Sequence, residues 1–278
     1  MKALIKKEFE RMLHSKMLYV TLVIELGITL MHFIDEVIPK AGNILEYFTG
    51  SSASYPYSVF DSWIGIRGGT NPYMLAYIYL FPIFAALPYG VSFYQDMKSG
   101  YIKQLYTRTS RRKVHAARYI VTFVSGGCTV IIPLIINLLL TMAVLPSLKP
   151  AYNGLFPLRS ASAFGVLFYT YPYLYTLLYM FIYFIFAGGF ATLCLALSYY
   201  IENVFLISIF PFVLSYGLTL VSNYVVKYSK IRTIGTIYML DMAQHHMLNE
   251  VTLILEPMII AGIAAYIFLI KGVHEDVC

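Results

Sequence analysis

Charged residues are scarce in this sequence. Asp, Glu, Lys and Arg together make up 12% of its 278 residues, about half the share of a typical soluble domain. Hydrophobic residues make up 59% of the chain. A soluble protein of this length must cover its surface with polar side chains, and this composition does not supply them. The shortage of charge therefore excludes a soluble globular protein and predicts a chain embedded in a membrane.

The sequence also has few cysteines and lacks common motifs of nucleotide binding and catalysis. Cys128, Cys194 and Cys278 lie far apart, and the first two fall inside apolar segments, so a disulfide framework is not expected. The sequence has no phosphate-binding loop of the form G-x-x-x-x-G-K-S/T and no H-E-x-x-H zinc motif. The adjacent His245 and His246 would point in different directions on a helix, so we expect no metal there. The chain alone is therefore expected to hold no cofactor and to be neither an ATPase nor another enzyme.

The apolar residues are grouped in six blocks, each close to the ~20 residues that a helix needs to cross the hydrocarbon core. The blocks cover residues 17–33, 74–94, 120–144, 174–199, 204–221 and 251–270. Pro211 and two serines dilute the fifth block, which leaves a count of five as the alternative. The sequence predicts an all-α integral membrane protein with about six transmembrane helices, organised as a single domain over residues 1–278.

Lysine and arginine are concentrated in two segments, one before the first block and one between the second and third blocks. Because basic residues near the ends of spans stay in the cytoplasm, we expect both termini to be cytoplasmic in a multi-pass protein of a bacterial cell membrane. The net charge of +6 is explained by the attraction of these segments to anionic headgroups. Membrane lipids are therefore expected partners, and nucleic acid is not.

The first sixteen residues have the pattern of an amphipathic helix that lies in the membrane interface. Charged residues occupy one face of this helix. The apolar residues recur at three- and four-residue spacing and are Leu4, Ile5, Phe9, Met12 and Leu13. The alternative is a charged leader whose only effect is to set the orientation of the first span.

The segment from residue 34 to residue 71 lies between the first two blocks and is rich in aromatic residues, among them Tyr55, Tyr57, Phe60 and Trp63. Aromatic side chains near a membrane usually form a belt at the level of the headgroups, and this is the role that we expect. Contact with a transported substrate is the alternative.

Glu25 stands in the middle of the first block and is the one acid that we place deep in a span. A carboxylate at this depth is costly and normally faces protein or water. Glu25 is therefore either a residue that lines a transport pathway or a neutral group that is hydrogen-bonded between helices. A single acid of this kind argues against a proton-driven carrier.

The segment 94–118, between the second and third blocks, has the most specific pattern. An acid and a glycine precede a short helix with one apolar face, and a basic turn follows. The residues concerned are, in chain order, Asp96, Gly100, Tyr101, Ile102, Leu105, Tyr106, Arg108, Arg111 and Arg112. We expect Asp96 to accept backbone N–H groups at the start of the helix and Gly100 to allow a tight turn. A connector that only sets orientation needs no apolar face, so we expect this face to bind a partner protein.

This segment resembles the coupling region of permease subunits in type-two ATP-binding-cassette exporters. In that family an acidic residue, a few polar residues and a glycine open a short amphipathic helix, and a basic turn then leads into the third span. Asp96 takes the acidic position, which is more often Glu in that family, and Gly100 takes the place of the glycine. The turn at Glu202 and Asn203, between the fourth and fifth blocks, is a weaker match.

The resemblance implies the membrane-spanning subunit of an exporter. A separate ATPase subunit would carry ATP and Mg, and a second copy or homologue of the permease would complete the pathway. The segment 94–118 would couple the ATPase to the spans, and the cargo would be an amphipathic peptide, a lipid-linked compound or a drug. Two alternatives come from other classes of protein: an ATP-independent carrier or channel, and an intramembrane enzyme, which would need convergent polar residues within the spans.

Overall fold

The computed structural model describes residues 1–42, 56–66, 71–150, 158–229, 235–244 and 248–272. These residues form helices and turns, without a strand. The protein is therefore an all-α membrane protein, as predicted. Of the positions singled out in the sequence, Tyr55, His245, His246 and Cys278 lie outside the described residues.

The helices are numbered in chain order. They are α1 (Lys2–Leu13), α2 (Lys16–His32), α3 (Val59–Ser62), α4 (Pro72–Ala86), α5 (Ser92–Lys98), α6 (Tyr101–Arg108), α7 (Arg111–Val144), α8 (Gly165–Thr170), α9 (Pro172–Leu197), α10 (Val204–Ser229), α11 (Thr236–Met239) and α12 (Glu250–Tyr266). Two helices continue with a wider, π-helical turn: α2 runs on to Gly42, and α12 runs on to Lys271. We call the end of the bundle with α1, α5, α6 and the start of α7 the basic end, and the other end the opposite end.

Five of the predicted spans are present as helices that are long and apolar enough to cross a membrane, namely α2 with its extension, α7, α9, α10 and α12. Proline does not interrupt them. Pro133, Pro211 and Pro257 are all accommodated inside continuous helices. The doubt that Pro211 cast on the fifth block is therefore removed, and the protein is multi-pass.

The second predicted span is the one that differs from expectation. Its helix, α4, has 15 residues and is about 22 Å long, which is shorter than the ~30 Å hydrocarbon core. The chain leaves the helix after Ala86 and turns before α5 begins, because Pro88 cannot donate a backbone hydrogen bond to a continuing helix. The segment still connects the two ends: Tyr73 bonds to Asp35 at the opposite end, and Tyr89 bonds to Glu8 at the basic end.

Helix α9 is the centre of the bundle and packs against α4, α7, α10 and α12. Small residues allow its closest approach to α7. A Cβ atom added to Gly126 of α7 would lie 2.6 Å from the Ala191 Cβ and 2.8 Å from the Ala187 carbonyl oxygen of α9. A glycine is therefore required where these two helices meet, as is common between helices packed in membranes.

Three segments fold over the opposite end and form what we call the cap, residues 56–66, 158–164 and 235–244. Phe60 and Trp63 are buried in the main core, and the Trp63 indole N–H donates to the Leu134 carbonyl at 3.3 Å. The expectation of an aromatic belt in the headgroup region is wrong for these two residues. They belong instead to the main apolar core, which also contains Met242 of the third cap segment, and the Phe60 ring contacts the Tyr173 ring with the centroids 4.8 Å apart.

Tyrosines on α9 hold the third segment of the cap in place. The Tyr175 hydroxyl donates to the Met242 carbonyl at 2.6 Å, and the Tyr183 hydroxyl donates to the Leu240 carbonyl. The Gln244 amide bonds to Tyr175 and Tyr179. The side chains of Tyr175, Tyr179 and Tyr183 are fully buried. These three tyrosines therefore help to close this end of the bundle.

We expect Gly126→Ala to destabilise the protein, because the new methyl group would overlap α9. The cost of such overpacking is typically about 1–3 kcal/mol, which would appear as a lower midpoint of thermal unfolding in detergent. Gly217→Ala in α10 is the matched control, since a Cβ atom there meets nothing within 4 Å. Equal midpoints for the two variants would contradict the close packing of α7 on α9.

Candidate functional site

The segment 94–118 forms two short helices and the start of a long one. Gly100 separates α5 from α6 and has a φ angle of +74°, in the left-handed region that glycine adopts without strain. A Cβ atom there would meet nothing within 4 Å. The predicted turn is therefore confirmed, and it is the backbone conformation of Gly100 that favours glycine at this point.

Asp96 lies within α5 and is bound by two arginines. The Arg11 guanidinium donates to both carboxylate oxygens, at 3.0 and 2.8 Å, and Arg118 Nη2 donates at 2.5 Å. No side chain caps the start of α6. The expectation that Asp96 accepts backbone N–H groups of that helix is therefore wrong, because the carboxylate is taken up by the stronger charged donors.

Glu8 completes what we call the four-charge cluster, made of Glu8, Arg11, Asp96 and Arg118. Arg118 Nε lies 3.0 Å from Glu8 Oε2, and Arg11 lies 3.5 Å from Glu8 Oε1. The Tyr89 hydroxyl donates to Glu8 Oε2 at 2.6 Å. Two acids and two bases alternate in this arrangement, so each charge faces charges of opposite sign.

The cluster lies in the protein interior. The side chain of Arg118 has no exposed surface, and Glu8 and Asp96 are 2% and 8% exposed. Burial alone would lower the pKa of Arg11, but its hydrogen bonds to Asp96 raise that pKa above its ordinary value. Charged groups in such a site must be paired, because an unpaired buried charge is strongly destabilising. The cluster therefore fixes α1, α5 and α7 relative to one another.

Two members of this cluster, Glu8 and Arg118, were not among the predicted site residues. A signal for Glu8 is present in the sequence, since it lies on the apolar side of α1, four residues before Met12. Arg118 follows Ala116 and Ala117 at the entry to an apolar block. At both positions a charged residue occurs where an apolar residue is expected. This pattern indicates that another buried residue of the protein pairs with the charge.

Helix α1 is amphipathic, as predicted, but protein covers part of its apolar side. Met12 is buried against Tyr89 and Val121, and Ile5 and Phe9 pack against the same group. Leu13 is exposed. The helix is therefore held to the bundle by apolar contacts and by the four-charge cluster, and the alternative of a simple charged leader does not describe it.

The apolar side of α6 also packs within this chain. Ile102 is fully buried with Phe93, Leu195 and Phe268, and Leu105 is buried as well. The prediction that these two residues anchor a partner protein is therefore wrong. The ends of the spans already cover the apolar face that the sequence pattern revealed.

The two predicted tyrosines of α6 are half-buried and contact charged or polar neighbours of the same chain. Arg11 lies over the Tyr101 ring at 4.6 Å, and Arg111 lies over the Tyr106 ring at 5.3 Å. Such contacts stabilise the position of an arginine. They connect α6 to α1 and to the start of α7.

The side of α6 that faces away from the bundle is polar and basic. Its exposed residues, together with those of the first turn of α7, form what we call the basic surface: Lys103, Gln104, Thr107, Arg108, Arg112 and Lys113. In the predicted site, the apolar residues thus lie on one side and the basic residues on another. The basic residues are the ones accessible to a partner.

His115 of α7 forms a second junction at this end. Its Nδ1 lies 2.9 Å from the Arg111 carbonyl oxygen, which can only accept, so Nδ1 carries the hydrogen and Nε2 is an acceptor. Nε2 then accepts from the Tyr199 hydroxyl at 2.8 Å, and the Tyr106 hydroxyl lies 3.3 Å from the same nitrogen. Burial raises the pKa of Tyr106 to about 12, so its hydroxyl keeps its hydrogen.

The same junction reaches the last span. The His115 ring contacts Phe268 with the ring centroids 4.9 Å apart, and a Cβ atom on Gly272 would lie 2.4 Å from His115 Nε2. Tyr199 follows the end of α9, and Phe268 belongs to the extension of α12. His115 therefore joins α6 and α7 to the ends of α9 and α12.

Glu25 is far from this site and fully buried between α2, α4 and α7. Tyr77 of α4 contacts it, with Oη 3.5 Å from Glu25 Oε1. A second acid, Glu256, lies inside α12 and accepts a hydrogen bond from the Thr236 hydroxyl. Glu25 is therefore not the one acid within a span, and the scarcity of such acids is a weaker reason against a proton-driven carrier. Among the described residues, no group of three or more His, Cys, Asp and Glu side chains could hold a metal ion.

We expect Arg118→Met to destabilise the protein strongly, because the two acids Glu8 and Asp96 would remain buried with one basic partner, Arg11, in place of two. Breaking a buried ion pair costs about 3–5 kcal/mol, measured here as the loss of folding free energy in detergent. Lys6→Ala is the control, since Lys6 makes only an exposed contact with Glu10.

The double variant Glu8→Gln/Arg118→Met should be less destabilised than the sum of its single variants, because the two residues interact directly. Strict additivity would contradict the ion pairing between them.

Comparisons with protein-family models, with curated proteins and with solved structures give no match for this chain. Its function is consequently inferred from its own residues. Of these, the four-charge cluster, the His115 junction and the basic surface are the features that relate the segment 94–118 to the rest of the molecule.

Proposed function

We propose that this chain is the membrane-spanning subunit of an ATP-driven exporter, coupled through the segment 94–118 to a separate ATPase subunit. The supporting observation is that the segment 94–118 is joined to the bundle by two buried polar junctions, at Asp96 of α5 and at His115 of α7, while α6 between them has an exposed basic side. A helix of this kind can receive a partner on one side and pass its displacement to the spans on the other.

Each junction serves a different set of spans. A displacement of α6 reaches α1 through Tyr101, whose ring contacts Arg11. From Arg11 it reaches Asp96 and Arg118 of the four-charge cluster. It reaches the ends of α9 and α12 through His115, Tyr199 and Phe268. Packed interfaces of this sort transmit rigid shifts because they do not deform continuously. The permease would thereby respond as one body to closure of the ATPase.

The partner would carry ATP and Mg, since this sequence has no phosphate-binding loop. It would meet the basic surface, and we therefore expect an acidic or polar groove on the ATPase. Interactions of this type favour fast association and correct orientation, while the buried residues Ile102 and Leu105 maintain the position of α6. A second copy or homologue of the permease would complete the pathway.

The cargo would be an amphipathic peptide, a lipid-linked compound or a drug. The cap closes the opposite end of this chain over the core, so release at that end would require the cap to move. The basic end would face the cytoplasm of a bacterial cell, with both termini on that side, because Lys and Arg are concentrated there.

A carrier or channel that works without ATP is the second candidate. The observation that favours it is the presence of two acids, Glu25 and Glu256, within membrane-spanning helices, since such groups mark ion and proton pathways. The two candidates differ in one property: an exporter subunit needs the basic surface for its ATPase, whereas a carrier does not.

We expect the tagged chain, purified from its native membrane, to retain an ATP-hydrolysing partner, and the isolated chain to hydrolyse no ATP. The variant Lys103→Glu/Arg108→Glu should lose most of the partner and its ATPase activity, because both side chains lie on the basic surface. The control Lys2→Glu/Lys7→Glu makes the same change of charge on exposed residues of α1 and should retain both. An unchanged complex in the first variant, or hydrolysis by the isolated chain, would contradict the proposal.

We expect a cysteine introduced as Arg112→Cys to react with a membrane-impermeant thiol reagent only from the cytoplasmic side. Leu148→Cys, at an exposed position of the opposite end, should react only from outside. Labelling of intact cells and of inverted vesicles distinguishes the two sides. Reaction of both variants from the same side would show that the orientation is wrong.

A further inference from the structure

Helix α2 has its polar residues inside and its apolar residues outside. Among its buried residues are Thr21, Glu25, Thr29 and His32, at intervals of three and four residues. Apolar residues such as Val23, which is 68% exposed, cover the other side. Lipid can cover apolar side chains on every side of a helix. Apolar packing alone would therefore not require a buried polar side on α2.

Helix α7 presents a matching stripe of buried polar residues. Arg118, Thr122, Ser125 and Thr129 follow one another at intervals of four, three and four residues and are at most 2% exposed. Further along, the Asn137 amide donates to the Thr29 carbonyl of α2 at 2.7 Å. We call the part from Arg118 to Thr129 the hydroxyl seam. It starts in the four-charge cluster and ends beside Val130, at the level of Glu25.

The contacts of Tyr77 indicate the protonation state of Glu25. Tyr77 Oη lies 2.5 Å from the Val130 carbonyl oxygen and 3.5 Å from Glu25 Oε1. The carbonyl oxygen can only accept, so it takes the single hydroxyl hydrogen of Tyr77. Tyr77 therefore cannot also donate to Glu25, and an ionised carboxylate at this position would have no hydrogen-bond donor among the described residues.

The surroundings of Glu25 agree with the protonated form. Of the helices packed against α2, α4 brings the Tyr77 hydroxyl and α7 brings hydroxyl and amide groups, and no charged side chain of the described residues contacts Glu25. Its Oε2 atom has no hydrogen-bond partner among the described residues, and the same is true of Thr122 Oγ1 and Ser125 Oγ. An ionised carboxylate would be far more costly here than a neutral acid.

We propose that Glu25 is a proton-binding site within the membrane, which exchanges its proton with the basic end of the protein along the hydroxyl seam. In the loading step the carboxylate takes a proton from hydronium and releases water, and unloading is the reverse reaction. A hydroxyl group can both donate and accept a hydrogen bond, as a proton relay requires. The Thr129 hydroxyl donates to the Ser125 carbonyl at 2.7 Å, and the hydroxyls of Thr122 and Ser125 have no hydrogen-bond partner among the described residues, so both can turn toward a passing proton. This inference is independent of an ATPase partner.

Infrared difference spectroscopy of the purified full chain at neutral pH tests the protonation of Glu25. The spectrum of the wild type minus that of Glu25→Gln should contain the C=O stretching band of a carboxylic acid and no carboxylate band. Glu10→Gln, at an exposed position of α1, is the control and should remove carboxylate bands only. A carboxylate band in the Glu25→Gln difference would overturn the proposal.

Should Glu25→Gln fail to fold, Tyr77→Phe provides an independent test. It removes the hydroxyl oxygen that lies 3.5 Å from Glu25 Oε1. Because the acid loses this polar neighbour, its band should move to higher frequency without a loss of intensity. An unchanged acid band in Tyr77→Phe would overturn the assignment of that band to Glu25.

Transfer of the protein into D2O tests the route. The acid band should shift as Glu25 exchanges its proton, and Thr122→Val/Ser125→Ala should slow this exchange about tenfold, equivalent to ~1.4 kcal/mol of barrier. Thr141→Val changes a buried hydroxyl of α7 on the far side of Glu25 and should leave the rate unchanged. Slowing by Thr141→Val, or none by the seam variant, would overturn the proposed route.

Discussion

The charge of Arg118 has no access to solvent, and the surrounding groups of the basic end are arranged to neutralise it. A buried guanidinium must be surrounded by acids and hydrogen-bond acceptors, since an unpaired charge in the interior is strongly destabilising. Glu8 and Asp96 supply the acids from α1 and α5, and Arg11 balances the second negative charge. Because these partners come from separate elements, the pairing fixes the opening helix, the segment 94–118 and the third span as one unit.

This constraint explains how α6 is placed. Asp96 holds the start of the segment, Gly100 turns the chain, and the apolar residues of α6 are pressed against the ends of α9 and α12. His115 adds a second fixed point through Tyr106 and Tyr199. What remains accessible is the basic surface, and a partner that binds there would act on the spans without contacting them. At the opposite end the cap is held by tyrosines in a comparable way, so the bundle is closed there by hydrogen bonds to backbone carbonyls.

Much of the fold could be predicted from the sequence because membrane helices satisfy their own backbone hydrogen bonds. Hydropathy therefore located α2, α7, α9, α10 and α12, although α7 begins before the predicted residue 120, at Arg111, and α10 ends after the predicted residue 221, at Ser229. Gly100 was also predicted correctly, since its role depends on local backbone conformation. The prediction was wrong where the role of a residue depends on which other part of the chain buries it. The periodicity of α6 showed that Ile102 and Leu105 share a face, but it did not show that this chain already buries them.

The sequence by itself determined the class of the protein, the position of its helices and the presence of an amphipathic segment at 94–118, because these follow from composition and from local periodicity. Only the tertiary structure decided that Glu8 and Arg118 belong with Asp96, that Phe60 and Trp63 enter the core, and that Glu25 meets Tyr77. The contacts of Glu8 with Arg118, of Trp63 with Leu134 and of Glu25 with Tyr77 join residues more than fifty positions apart. Asp96 and Arg118 are 22 positions apart and lie in different helices. No pattern along the chain records which distant side chains will neutralise a charge or cover an apolar face, and packing alone settles it.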